Sequence, residues 1–182
     1  IGQLMMVAVF SDQRADPTAV SELIERYHVG GLIFFQGDPI TQASLTNRYQ
    51  QLAKTPLMIA IDGEWGLGMR LENTMSFPYQ MALGAIQNDS LIYQMGREVA
   101  RQFLRVGIQV NFAPVLDVNN NPANPVINYR SFGENRELVA RKGIAYMKGM
   151  QDGGLLATAK HFPGHGDTGT DSHYDLPLIP HD

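Results

Sequence analysis

Five short apolar runs punctuate the chain: LMMVAVF (residues 4–10), LIFF (32–35), LMIAI (57–61), IQVNFA (108–113) and LLATA (155–159). None alternates strictly with polar residues, which is the pattern of strands covered on both faces, as in a parallel sheet. The intervals between them follow a helical period instead. After Asp16 as N-cap and Pro17 at the first helical position, Val20, Leu23, Ile24 and Tyr27 recur at helical spacing, and Gly30 supplies a stop. Leu45, Tyr49 and Leu52, ahead of Pro56, predict a second helix. Asn88 or Asp89 caps a third, bearing Leu91, Ile92, Met95, Val99 and Phe103 and closed by Gly107; a fourth runs from about Glu137 to Met150 and ends at Gly153 and Gly154. Strand and helix alternate throughout, which predicts an α/β protein with right-handed crossovers and no internal repeat or linker.

Two architectures accept this order. Five strands suffice for an open flavodoxin-like sheet, whereas a closed (β/α)8 barrel typically takes about 250 residues, and the chain has 182. Strand count alone therefore favours the open sheet. Against it, the sequence closes on PLIPHD with no helix to cover the fifth strand, so the first five-eighths of a barrel stays as the alternative. The first residue is Ile1 rather than methionine, which is compatible with an upstream segment removed by processing.

Composition narrows the function classes. With 44% hydrophobic and 18% charged residues, the chain has the make-up of one ordinary globular domain. A net charge of -4, from 14 basic and 18 acidic residues, offers no basic stripe to a phosphate backbone, which disfavours nucleic acid and suits a neutral or cationic small substrate. No run reaches the roughly 18 consecutive apolar residues of a membrane span. The absence of cysteine removes disulfides, thiolate metal sites and a cysteine nucleophile, and leaves the compartment open.

In either architecture the functional groups belong just after the carboxyl ends of strands. The polar clusters fall there: DGEWGLGMR after the third strand with Asp62, Glu64 and Arg70, PVLDVNNNPANPVINYRSFG after the fourth with Asp117 and Arg130, and KHFPGHGDTGTDSH after the fifth. Turn or cap duty for Asp62 and Asp117 is the plainer alternative. Gly66 and Gly68 form a lone G-x-G followed by Leu71, and no G-K-[ST] occurs, so a phosphate loop is unsupported. His161 and His165 stand four apart, like two ligands on a zinc helix, but Pro163, Gly164 and Gly166 intervene. An interior proline costs a helix about 3 kcal/mol and each glycine about 1 kcal/mol. A loop gathering His161, His165 and Asp167 around a divalent ion remains an alternative. The acid/base reading fits better: in an extended loop, residues two apart point the same way, which sets the Asp171 carboxylate beside the His173 imidazole. An aspartate so placed fixes the ring tautomer, and a histidine with a pKa near about 6.5 can give a proton and recover it at neutral pH. Glycines in the segment allow the loop to close over a substrate, Lys160 and His161 at the strand end suit sugar hydroxyls, and Phe162-Pro163 is expected to be a cis peptide.

KHFPGHGDTGTDSH resembles the signature of family three glycoside hydrolases of the bacterial β-N-acetylglucosaminidase type, in which K-H-F-P-G-H-G precedes a short loop ending in D-S-H. GGLIFF, IAID with Glu64 and Arg70 after it, NFAPVLDV and RSFG look like further landmarks of that family in the same order, so the resemblance covers essentially the whole chain. It implies a (β/α)8 TIM barrel, with residues 1–182 an incomplete catalytic domain of about five β/α units. Asp62, Arg70, Arg130, Lys160 and His161 would bind N-acetylglucosamine in the terminal subsite, His173 would be the acid/base and Asp171 its orienting partner. The implied reaction is retaining hydrolysis of terminal, non-reducing β-linked N-acetylglucosamine from peptidoglycan fragments or chitin-like oligosaccharides. The family's nucleophilic aspartate lies on a later loop, beyond this chain, so these residues alone are not expected to turn over. No metal or organic cofactor is implied, and the partner is the saccharide. A role in cell-wall recycling suits either a cytoplasmic or an exported bacterial protein. Trp65 and Leu67 depart from the smaller, glycine-rich turn of the family; Trp65 is either a sugar-stacking surface or a packed rim aromatic. A non-catalytic sugar-binding module is a further alternative.

Overall fold

In the computed structural model, which describes residues 1–179, short polar side chains set the helix starts. Asp16 accepts from the Ala19 amide at the head of α1 (Pro17–Tyr27), and Asp38 from Ile40 and Thr41 at the head of α2 (Pro39–Leu52). After a short α3 (Gln80–Gly84), Asn88 accepts from Ser90 ahead of α4 (Asp89–Arg105), and Asn135 from Leu138 ahead of α5 (Arg136–Asp152). Each such bond satisfies amides that have no partner inside the helix. The first helix stops earlier than Gly30 predicts, because His28 itself adopts the left-handed conformation at φ 51°.

The strands are β1 (Met6–Ser11), β2 (Gly31–Gly37), β3 (Met58–Ile61), β4 (Val110–Asn111) and β5 (Leu156–Ala157). They form one parallel sheet in the order β1-β2-β3-β4-β5. An open flavodoxin-like sheet reverses direction at a switch point; this sheet never does. Right-handed crossovers that always step the same way put every helix on the same face, which is barrel wall rather than doubly wound sheet. The preference for the open sheet drawn from strand count is thereby corrected. No helix forms after β5 among the described residues, and residues 180–182 of PLIPHD lie outside them.

The fourth and fifth strands are much shorter than their apolar runs, because the ladder turns irregular instead of ending. Thr158 donates to the carbonyls of Asn111 and Ala113, Lys160 to Pro114, and Leu116 to Lys160. That pairing carries Lys160 to the carboxyl rim. Behind it, α4 and α5 touch backbone to backbone. A Cβ at Gly149 would lie 2.1 Å from the Tyr93 carbonyl, and one at Gly96 would lie 2.5 Å from that of Tyr146. The buried Lys142 ammonium spans the two helices to Asp89 at 2.6 Å. Leu32, Phe34, Ile59, Ile61, Val99, Phe103 and Ile108 fill the space between sheet and helices.

Candidate active site

Three carboxylates and three cations meet beyond β3, β4 and β5. Asp62, directly after β3, accepts from Arg70 Nη2 at 2.6 Å on one oxygen and from Lys160 Nζ at 2.5 Å on the other. Glu64 is 1% exposed and takes the Arg130 fork on both oxygens at 2.6 and 3.0 Å. Lys160 lies 2.8 Å from the same carboxylate, so it bridges Asp62 and Glu64. Asp117 is enclosed: one oxygen accepts from His161 Nδ1 at 2.6 Å and the His161 amide, the other from the His165 amide at 2.7 Å. Arg130 Nη2 stands 3.3 Å from His161 Nε2. A guanidinium only donates, so Nε2 faces it as the acceptor while Nδ1–H donates to Asp117.

Burial by itself would raise the Asp62 carboxyl, but Lys160 and then Arg70 outweigh it and hold the group below its ordinary value. The same contest occurs at Asp117, where burial loses to the His161 ring and the two backbone amides. At Arg130 desolvation pulls down, Glu64 pulls up, and Glu64 prevails. The cluster is charge-balanced and internally bonded, the condition under which ions tolerate removal from water.

Buried polar side chains fix the backbone beneath it. Asn111 holds Gly63 through both amide and carbonyl at 3.0 and 3.1 Å, and Tyr146 donates to the Glu64 carbonyl at 3.1 Å. Desolvation pushes the Tyr146 phenol well above its ordinary value, so it remains a donor. Gln80 donates to the Val115 and Arg130 carbonyls, both at 2.8 Å, and accepts from the Val115 amide. Arg70 lies with its guanidinium 5.0 Å over the Phe35 ring, which steadies the fork facing Asp62.

The loop after β5 leaves the sheet through cis peptides at Lys160-His161 and Phe162-Pro163, the second as the sequence predicts. His173 Nδ1 stands 2.6 Å from Asp171 Oδ1, so the expected pair exists. Its cause differs from the extended loop predicted. The segment is a turn, in which Asp171 caps the His173 amide at 2.9 Å and its carbonyl accepts from Tyr174 and Asp175. The His173 amide and ring hold Asp171 below the ordinary carboxylate range. The ring is 75% exposed, displayed toward solvent rather than packed on the ionic cluster. A chain of bonds joins the two: Ser172 lies 3.2 Å from His165 Nε2, and the His165 amide sits on Asp117.

The site residues from the sequence thus fall into two groups. Asp62, Arg70, Arg130, Lys160 and His161 form one network; Asp171 and His173 form a second, tethered pair. Asp62 and Asp117 are network centres, not turn caps. Glu64 and Asp117, which carry no definite role in the sequence reading, bind three of the five network residues directly. Their signal is position, each close after an apolar strand run. Residues 161–167 form no helix, as the proline and glycines predict, and the alternative loop site for a divalent ion is not assembled: His161 bonds through Asp117 and Arg130, and His165 through Thr168 and Ser172. Among the described residues no group of three His, Asp or Glu side chains is disposed around one ion.

A parallel sheet built strand upon neighbouring strand, with its polar network gathered at the carboxyl ends, is part of the wall of a (β/α) barrel. The chain matches the glycosyl hydrolase family 3 N-terminal domain over residues 1–182 and belongs to that family. It is 44% identical over 179 residues to β-hexosaminidase A of Pseudoalteromonas piscicida, covering 91% of this chain and 30% of that protein. Among solved structures, a family 3 β-N-acetylglucosaminidase from a Paenibacillus species superposes with a TM-score of 0.88 at 45% identity, covering 99% of this chain and 35% of that one. NagZ of Neisseria gonorrhoeae, in complex with N-trifluoroacetyl-D-glucosamine, gives 0.81 at 33% identity, covering 95% and 53%. The chain therefore spans about a third to a half of the relatives it resembles.

Proposed function

We propose that the protein is a retaining β-N-acetylhexosaminidase that releases terminal, non-reducing N-acetylglucosamine from peptidoglycan fragments or chitin-like oligosaccharides. The names of the relatives support the activity class. The observation that carries the reading is the His173-Asp171 pair at 2.6 Å on an exposed loop, joined by hydrogen bonds to the ionic cluster. In this reading Lys160, Arg70 and Arg130 present donors, and Asp62 presents an acceptor, to the hydroxyls of the terminal sugar, and His161 completes that rim. Binding energy placed there orients the ring for reaction.

His173, as imidazolium, protonates the departing glycosidic oxygen while a carboxylate beyond this chain attacks the anomeric carbon. The neutral ring then draws a proton from the water that releases the sugar. Asp171 holds Nδ1–H, leaving Nε2 to exchange the proton, and its anionic form stabilises the imidazolium. The complete protein is expected to release p-nitrophenol from p-nitrophenyl N-acetyl-β-glucosaminide with the β configuration retained in the first-formed sugar. His173→Ala should lower kcat/KM on an unactivated disaccharide by about 10²–10⁴, the range of general acid/base help. Unchanged turnover in that variant rejects the assignment.

A further inference from the structure

Three aromatic rings stand beside the ionic cluster, and the terminal-sugar reading leaves them unused. Trp65 meets Tyr79 edge to face at 4.7 Å between centroids, and Tyr79 meets Tyr129 at 4.7 Å and 45°. Trp65 is half-buried, whereas Tyr79 and Tyr129 are 46% and 51% exposed, so the group presents open ring surface instead of closing into the core. Each ring is one residue from the charged site. Trp65 follows Glu64, Tyr129 precedes Arg130, and Tyr79 precedes Gln80, whose amide holds the Arg130 carbonyl at 2.8 Å. The backbone beneath them is also fixed, since Phe77 donates to the Trp65 carbonyl at 2.9 Å and Tyr129 lies in a short 3-10 turn, Asn128–Arg130.

We propose that Trp65, Tyr79 and Tyr129 form a stacking platform for the second pyranose ring of a β-linked oligosaccharide, the ring on the leaving-group side of the bond cut. The inference rests on the glycosidase reading above and names which part of the substrate lies where. A β-linked pyranose with equatorial substituents has two apolar C–H faces and a hydroxyl edge. The half-exposed Tyr79 and Tyr129 rings, tilted at 45° to each other and carrying phenol oxygens, with Trp65 edge to face on Tyr79, offer apolar ring surface beside polar edges that matches that division, and rigid, amphipathic Tyr and Trp bind such surfaces at small entropic cost. Continuity decides the occupant: Tyr129 immediately precedes Arg130, one of the groups proposed to hold the first sugar, and the three rings touch in succession at 4.7 Å between centroids. Trp65 stands where the family resemblance calls for a smaller residue, so the preference is expected to be particular to this protein.

The test is a ratio measured on the complete protein: kcat/KM for chitotriose divided by kcat/KM for methyl N-acetyl-β-glucosaminide, which lacks a second ring. Tyr79→Ala and Tyr129→Ala should each lower that ratio by about 3- to 10-fold, the worth of an aromatic contact, and Tyr79→Phe should restore most of it. A fall on both substrates in equal measure makes the trio mere support for Glu64 and Arg130, and overturns the proposal. An unchanged ratio overturns it as well. If the complete protein cleaves no N-acetylglucosaminide, the glycosidase reading fails separately. The platform is then judged by calorimetric titration with chitotriose, where equal affinity in wild type and in the Tyr79→Ala/Tyr129→Ala double variant rejects it.

Discussion

Asp117 receives a ring N–H and two backbone amides, and this one carboxylate ties His161 to the loop that bears His173. Asp117→Asn replaces an acceptor oxygen with a donor and removes the charge that fixes His161 as its Nδ1–H tautomer. Hydrogen bonds to charged groups are worth about 1.5–3 kcal/mol, so kcat/KM of the complete protein should fall about 10- to 100-fold. The melting temperature, recorded alongside, separates that loss from unfolding. Part of this network was legible in the residues: Asp62, Lys160 and His161 lie just past apolar strand runs, the D-S-H spacing sets Asp171 beside His173, and the grouping of Arg70 and Arg130 with them came from the family resemblance. The pairings were not legible. Glu64 finds Arg130 66 residues away and Asp62 finds Lys160 98 residues away, and no local period encodes which cation meets which carboxylate.

At the scale of elements, α4 and α5 approach so closely that glycine is required on both. Gly149→Ala would place a methyl 2.1 Å from the Tyr93 carbonyl, and the forced separation should cost about 1–3 kcal/mol, read as a lower melting temperature. Tyr146 rides on α5, so separation of the helices also withdraws its hydroxyl from Glu64. Tyr146→Phe, which keeps the packing and deletes only that donor, should cost about 1 kcal/mol. Four helices were readable because their signals are local, Asp16 and Asn88 as caps and apolar spacing or terminal Pro and Gly for the rest; Asp38 and Asn135, which also cap within three residues, were not picked out. The five-residue α3 gave no such signal, since it is anchored by Gln80 reaching Val115 and Arg130 across the fold. Strand ends at Asn111 and Ala157 were missed for a related reason, as Asn111 bends its side chain inward to clamp Gly63.

Across the whole molecule, acid should act through the paired carboxylates. Asp62 and Asp117 have their folded pKa below the ordinary 3.8. The stability they contribute is therefore complete above that value and is lost as pH falls through their lowered folded values. Melting temperature should hold steady from neutral pH into the mild acid range and decline below about pH 4; a decline centred near pH 6 would point to histidine instead. Because His161 and His165 are satisfied within the protein, chelators are expected to leave the turnover of the complete protein intact, and a loss restored by zinc would revive the metal reading. No helix among the described residues is long and apolar enough to cross a membrane.

Because every strand adds beside the one made before it, the ribosome delivers this wall in the order in which it is assembled. At about 5–20 residues per second, the 98 residues between Asp62 and Lys160 take about 5–20 s to emerge. Through that interval the acidic rim is without its lysine, so the scaffold precedes the proposed sugar site during synthesis, and a nascent chain stalled before β5 should hold β1 to β3 together while failing to retain N-acetylglucosamine.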